Sequence, residues 1–176
     1  MSKYRLVGLE SVGVGTVDTT SYTMPSTFTT IYNIVPGSAV LALEIPTKSK
    51  YYVEDSEYPD TVISEAGAKM VEFSTRDQAG HLMVLAFGGT NNTTTNVWTA
   101  PTAPRGVVEK ALQLVSKTFG GVKYTYAIPR AEFGAGADLR FSNKGATEPG
   151  VLNFQAEVLV GENTTTNVAP ITRTRS

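Results

Sequence analysis

The most chemically versatile side chain is the single histidine, His81, which opens the apolar run Leu82 to Phe87. A metal site built on it needs further ligands at helical spacing. Asp77 lies four residues before it, and no second strong ligand follows. A packed or interfacial histidine is the simpler reading. A Ser-His-Asp triad needs only convergence from afar, yet the chain has no Gly-x-Ser-x-Gly elbow to support a hydrolase. The absence of cysteine removes disulfides, thiolate metal sites and a thiol nucleophile together.

A second candidate is the acidic cluster Glu54, Asp55, Glu57 and Asp60. A calcium loop wants alternating oxygen ligands, a central glycine and a closing glutamate, and the order here does not fit. A glycosidase pair needs two carboxylates held apart on rigid walls, whereas these share one loop. The plain alternative is a solvated or partner-facing acidic loop. Gly13-Val-Gly15 and Gly134-Ala-Gly136 lack the strand-to-helix context of a phosphate loop and read as strand kinks or bulges. No catalytic, cofactor-binding or metal-ligating residue emerges, so the chain is expected not to be an enzyme.

The elements that must hold these residues are mostly strands. With 176 residues, a single domain is expected. Hydrophobic residues make up 41% and charged residues 18%, below the ~25% charge of an average soluble domain. Net charge is -1, which leaves no basic footprint for tight nucleic-acid binding. The longest apolar run has six residues, against the ~20 needed to span a membrane. Period-two alternation marks half-buried strands at 39–45, 122–128, 137–142 and 152–160. The Gly- and Pro-containing stretch 145–150 makes the last two a hairpin. Further strands are expected at 4–9, 28–34, 61–64, 69–74 and 107–116.

One helix is expected at about 76–87, with Thr75 as N-cap three residues before Gln78. Ser74 with Asp77 is the alternative register. Gly88-Gly89 suits a left-handed C-terminal cap. The helix is apolar nearly all round, so it must be covered on more than one side. Residues 47–60, within a wider loop 47–62, and residues 90–105 around Trp98 read as extended loops. The hexapeptide NTTTNV occurs at 92–97 and again at 163–168. Compositional bias explains it more simply than a shared function.

Three stretches together carry a family resemblance: YVEDSEYPD at 52–60, VEFSTRD at 71–77, and AFGGT at 86–90. AIPRA at 127–131 and LNFQAEVL at 152–159 add to it. In order and spacing the chain resembles the phage tail tube (major tail) proteins, which are related to type VI secretion tube proteins. The resemblance implies a mainly β fold of two packed antiparallel sheets, sandwich- or barrel-like, with one short flanking helix. It implies six subunits per ring and rings stacked into a hollow tube. Inter-ring contacts would come from Tyr52, Glu54, Asp55, Glu57, Tyr58 and Asp60. The helix, through His81, Met83 and Phe87, would meet a neighbouring subunit.

Implied partners are further copies of the chain, a tape-measure protein, tail-end proteins and in some tails a sheath, with DNA as a passenger. The implied location is the virion tail, after synthesis in the host cytoplasm, with no membrane partner and no cofactor. Residues 1–160 would form the β domain and 161–176 a C-terminal arm. Two other readings stay open at this level. One is a secretion-tube subunit; the other is a carbohydrate-binding or adhesion sandwich using Trp98, Tyr51, Tyr52 and Tyr58.

Overall fold

The computed structural model describes residues 8–43, 47–51, 61–65, 69–103, 106–133, 137–141, 150–162 and 167–176. The chain opens with β1 (Leu9–Thr16), β2 (Thr29–Ile31) and β3 (Val40–Leu43). The hairpin β4 (Thr47–Tyr51) and β5 (Thr61–Glu65) follows, then β6 (Lys69–Thr75). Helix α1 (Gly80–Phe87) leads to a short hairpin, β7 (Thr90–Asn92) and β8 (Val97–Thr99). The remainder holds β9 (Val108–Ser116), β10 (Tyr124–Phe133), β11 (Asp138–Arg140) and β12 (Val151–Val158). A small hairpin, β13 (Gly161–Glu162) and β14 (Asn167–Val168), precedes β15 (Thr172–Arg175).

Nine strands make one antiparallel sheet with the path β2-β1-β9-β10-β12-β6-β3, β11 lying on β12 and β15 on β10. The sheet folds into two packed layers without closing as a barrel. Two features let it turn over. After β2 leaves β1, the chain crosses to β6: Ile34 bridges Thr75, and the Val35 N–H donates to the Ser74 carbonyl at 2.8 Å. In β10, residues 124–127 pair with β15 and residues 131–133 with β12, while β9 runs along the other side. A bulge between Ile128 and Ala131 separates the halves. Pro129 lies inside it, where a missing N–H costs no ladder bond. The extra residue reverses which parity points inward, so Ile128 before it and Ala131 and Phe133 after it are all buried.

Alternation builds the core between the layers. In β6 and β12 the facing pairs Thr75–Leu152, Phe73–Phe154 and Val71–Ala156 are buried, and Ser74–Asn153 and Glu72–Gln155 point out. Phe73 and Phe154 stack at 5.0 Å, and Phe133 meets Phe154 edge-on at 6.0 Å. Val12, Val14, Leu112, Leu114 and Ile128 supply the opposing layer. Between β9 and β10, Phe119 and Val122 exchange both backbone hydrogen bonds across Gly120 and Gly121, each at positive φ. That is the two-residue turn whose twist matches flanking strands.

The mainly β class, the single helix and the β11–β12 hairpin agree with expectation. Several local readings are corrected. Among the described residues the first strand lies at 9–16, and the expected strand at 4–9 falls largely outside them. Gly13 and Gly15 are not bulges but regular β1 positions, pressed under the 25–28 segment. A Cβ on Gly15 would lie 2.5 Å from Pro25 Cγ, and one on Gly13 3.2 Å from the Phe28 ring. The bulge in β1 comes earlier, between Leu9 and Ser11. Gly134 and Gly136 lie outside the described residues.

The helix begins at Gly80 rather than 76. Thr75 is fully buried at the end of β6, and its hydroxyl donates to the Tyr32 carbonyl at 2.7 Å and accepts the Asp77 N–H. Asp77 Oδ1 in turn accepts the Ala79 N–H. These side chains brace two turns in place of the first helical turn, and Ala79 provides no side-chain cap. The stop falls at Gly88, φ 78°, whose N–H donates to the Val84 carbonyl. The expected loops are also partly strands: 47–51 pairs, as β4, with the expected strand at 61–65, β5, and 90–92 pairs with 97–99 as β7–β8. The C-terminal segment, read as an arm, contributes β15 to the main sheet.

Candidate assembly surface

Helix α1 reads GHLMVLAF and buries only Gly80, Leu82 and Ala86. Met83, Val84, Leu85 and Phe87 remain half-buried on a helix with no charged side chain. Beside it runs a cleft of about 860 Å³, lined by Val14, Ile31, Leu82, Leu85, Val107 and Val108 among others. His81 and Lys110 stand at its polar rim. Val107 is 68% exposed there. A second cleft of about 440 Å³ opens between the layers, lined by Leu9, Ala39, Val40, Leu41, Leu114 and Tyr126.

The β7–β8 hairpin supports the helix end. Trp98 Nε1 donates to the Gly88 carbonyl at 2.8 Å, and its ring meets Phe87 at 6.1 Å. Asn92 Oδ1 accepts the Thr94 and Thr95 N–H groups, so the first NTTTNV segment forms this hairpin's connection. The second copy joins β13 to β14, with residues 163–166 outside the described set. In the first copy the signal that could have marked the turn is Asn92, since Asn braces turns through its own side chain.

Of the residues singled out in the sequence, His81 is exposed, and Met83 and Phe87 pack half-buried against the core. Tyr52, Glu54, Asp55, Glu57, Tyr58 and Asp60 lie outside the described residues. Their flanking strands β4 and β5 are paired, so the acidic segment connects a hairpin. Among the described residues no group of three His, Asp or Glu side chains converges as a metal site.

No known protein family and no curated protein matches the chain. Among solved structures it is similar to a chain of the "Cryo-EM structure of the anti-feeding prophage (AFP) baseplate, 6-fold symmetrised". The TM-score is 0.45 at 9% identity, covering 99% of this chain and 97% of that one.

Sequence reasoning missed the polar clamps on the outer face. Arg130 donates to Glu109 through Nε at 2.9 Å and Nη2 at 2.6 Å, and its guanidinium lies 5.3 Å from the Tyr22 ring centre. The Arg130 hydrogen bonds hold the Glu109 carboxyl below its ordinary range. Asp138 is also held low, first by the hydrogen bond from Asn153 and then by Arg140. None of these residues lines either of the two clefts described above.

Proposed function

We propose that this chain is the structural subunit of a phage-type tail tube. Six copies would form a ring, and rings would stack into a hollow conduit for DNA. The observation that carries the reading is the under-covered helix: four of its apolar side chains stay half-buried, and two of them, Val84 and Leu85, border one apolar cleft with Val107. A helix that is apolar nearly all round calls for cover on more than one side. The resemblance at 52–60, 71–77 and 86–90 supplies the class of assembly. Tape-measure and tail-end proteins, with a sheath in some tails, would be its other partners in the virion, and no catalysis is proposed. With a net charge of -1, DNA is a passenger in a neutral to acidic lumen, because Lys- and Arg-lined walls would grip phosphates.

A secretion-tube subunit would share the ring and differ in cargo. The adhesion reading loses its best residue, since the Trp98 N–H and ring are already engaged within the chain. Electron microscopy of purified protein tests the proposal. It is expected to show six-fold rings or tubes about 80–100 Å wide, the width the resemblance implies and within reach of six domains of this size. Val107→Asp should leave the fold intact yet prevent assembly. A wild-type protein that stays monomeric at high concentration overturns the reading.

A further inference from the structure

Strand β15 gives the sheet an open basic edge. Thr172, Arg173, Thr174 and Arg175 are all exposed, and among the described residues the strand pairs only with β10. The Arg173 guanidinium lies 5.3 Å from the Tyr124 ring centre, which orders it. Arg175 stands opposite Tyr124 in the register. Neither arginine has a carboxylate partner among the described residues. Lys123 close by is already paired with Glu10 at 2.9 Å. Two residues apart on one strand, the arginines share a side at roughly 7 Å spacing.

The same molecule carries the matching charge elsewhere. Glu109, Glu132 and Glu157 stand in one row across β9, β10 and β12. Arg130 takes Glu109. Glu132 and Glu157 face each other directly, with no ion-pair partner among the described residues. Like charges directly opposite destabilise a sheet. Such a broken local rule belongs where something outside the monomer completes the arrangement.

We propose that β15 is a docking strip for a second copy of this chain, whose Glu132–Glu157 pair receives Arg173 and Arg175. The proposal rests on the reading of the chain as a self-assembling subunit and names one contact within it. Arginine and carboxylate form short, directional, charge-assisted bonds. Carboxylates on adjacent strands roughly 5 Å apart are within reach of guanidinium groups about 7 Å apart. Strip and acceptor are different patches, so the contact is head-to-tail and propagates into a ring or filament. Duplex DNA, the other polyanion, presents a charge every ~1.7 Å and calls for a longer basic stripe than two arginines.

The test uses the full chain, with sedimentation velocity and electron microscopy at low salt and circular dichroism to check folding. R173E/R175E and E132R/E157R are each expected to fold and to need at least tenfold higher concentration to assemble. Mixed in equal amounts, they are expected to co-assemble, because each variant's strip then matches the other's face. Raising salt to 0.5 M, where screening falls to roughly 4 Å, should weaken wild-type assembly tenfold or more. If a reversed variant does not fold, R173Q/R175Q replaces it with the same expected loss. Wild-type-like assembly of either variant, or failure of the mixture, overturns this contact while leaving the tube reading intact. Absence of wild-type assembly instead sinks the tube reading. Binding of labelled duplex DNA that R173E/R175E abolishes and E132R/E157R does not would assign the arginines to a polyanion and overturn the proposal.

Discussion

At Asp18 a surface carboxylate is tied to its own loop. It accepts the Ser21 hydroxyl, the Thr20 N–H at 2.9 Å, the Ser21 N–H at 3.2 Å and the Thr23 hydroxyl. The Ser21 hydroxyl, followed by the Thr20 and Ser21 N–H groups, lowers its pKa to about 2. A carboxylate with a folded pKa below its unfolded value of ~3.9 stabilises the fold above that pH and stops doing so as pH falls toward 2. Asp18→Ala should therefore lower the melting temperature at pH 7. The gap from wild type should close between about pH 4 and pH 2. An unchanged gap at pH 2 would show that the charge is not what holds the loop. Gly89 makes a sharper demand: its φ is +85°, and a Cβ would collide with the Thr99 carbonyl oxygen. Gly89→Ala should cost on the order of 2 kcal/mol in chemical denaturation.

Among the elements, α1 depends most on its neighbours. Eight residues are too few to hold a helix alone. Trp98 fixes the C-terminal end through its bond to Gly88 and its contact with Phe87. Trp98→Ala should cost about 1–2 kcal/mol. Hydrogen exchange should rise in β7, β8 and the end of α1, with β6 and β12 little changed; uniform loss of protection would contradict this division. Strand patterning was legible where one face is buried, as in Val71, Phe73, Leu152 and Phe154. The β7–β8 hairpin was not legible. Its strands are three residues each, with one half-buried residue, Asn91 or Trp98, between two exposed ones, too short a pattern to read as alternation. The helix start was misread because Thr75 has a cap's chemistry but spends its hydroxyl on Tyr32 and Asp77.

For the whole molecule, the proposed assembly predicts which surfaces a second copy covers. The apolar cleft beside α1 and the basic edge at β15 are separate patches of one chain. A head-to-tail assembly uses such unlike patches together. Deleting residues 52–60 should leave a folded protein that forms single rings but no tubes in electron microscopy. Tubes that still elongate would reassign the stacking contact. The sequence reads the residues of that segment as candidate inter-ring contacts, and they lie outside the described residues. The pairing of β4 with β5 on either side gives the segment a hairpin base.

The one histidine, the missing cysteines, the period-two runs and the apolar run Leu82 to Phe87 were determined by the sequence itself. They are local properties: composition limits the available chemistry, and alternation fixes which residues can share a buried face. Apart from the β11–β12 hairpin, only the tertiary structure decided which strands pair. The switch of β10 from β15 to β12 and the crossing of the chain from β1 to β6 join residues far apart in sequence. The Glu109–Glu132–Glu157 row exists only because three distant strands lie side by side in one register. Charges that look scattered along the chain become a patch through those long-range hydrogen bonds.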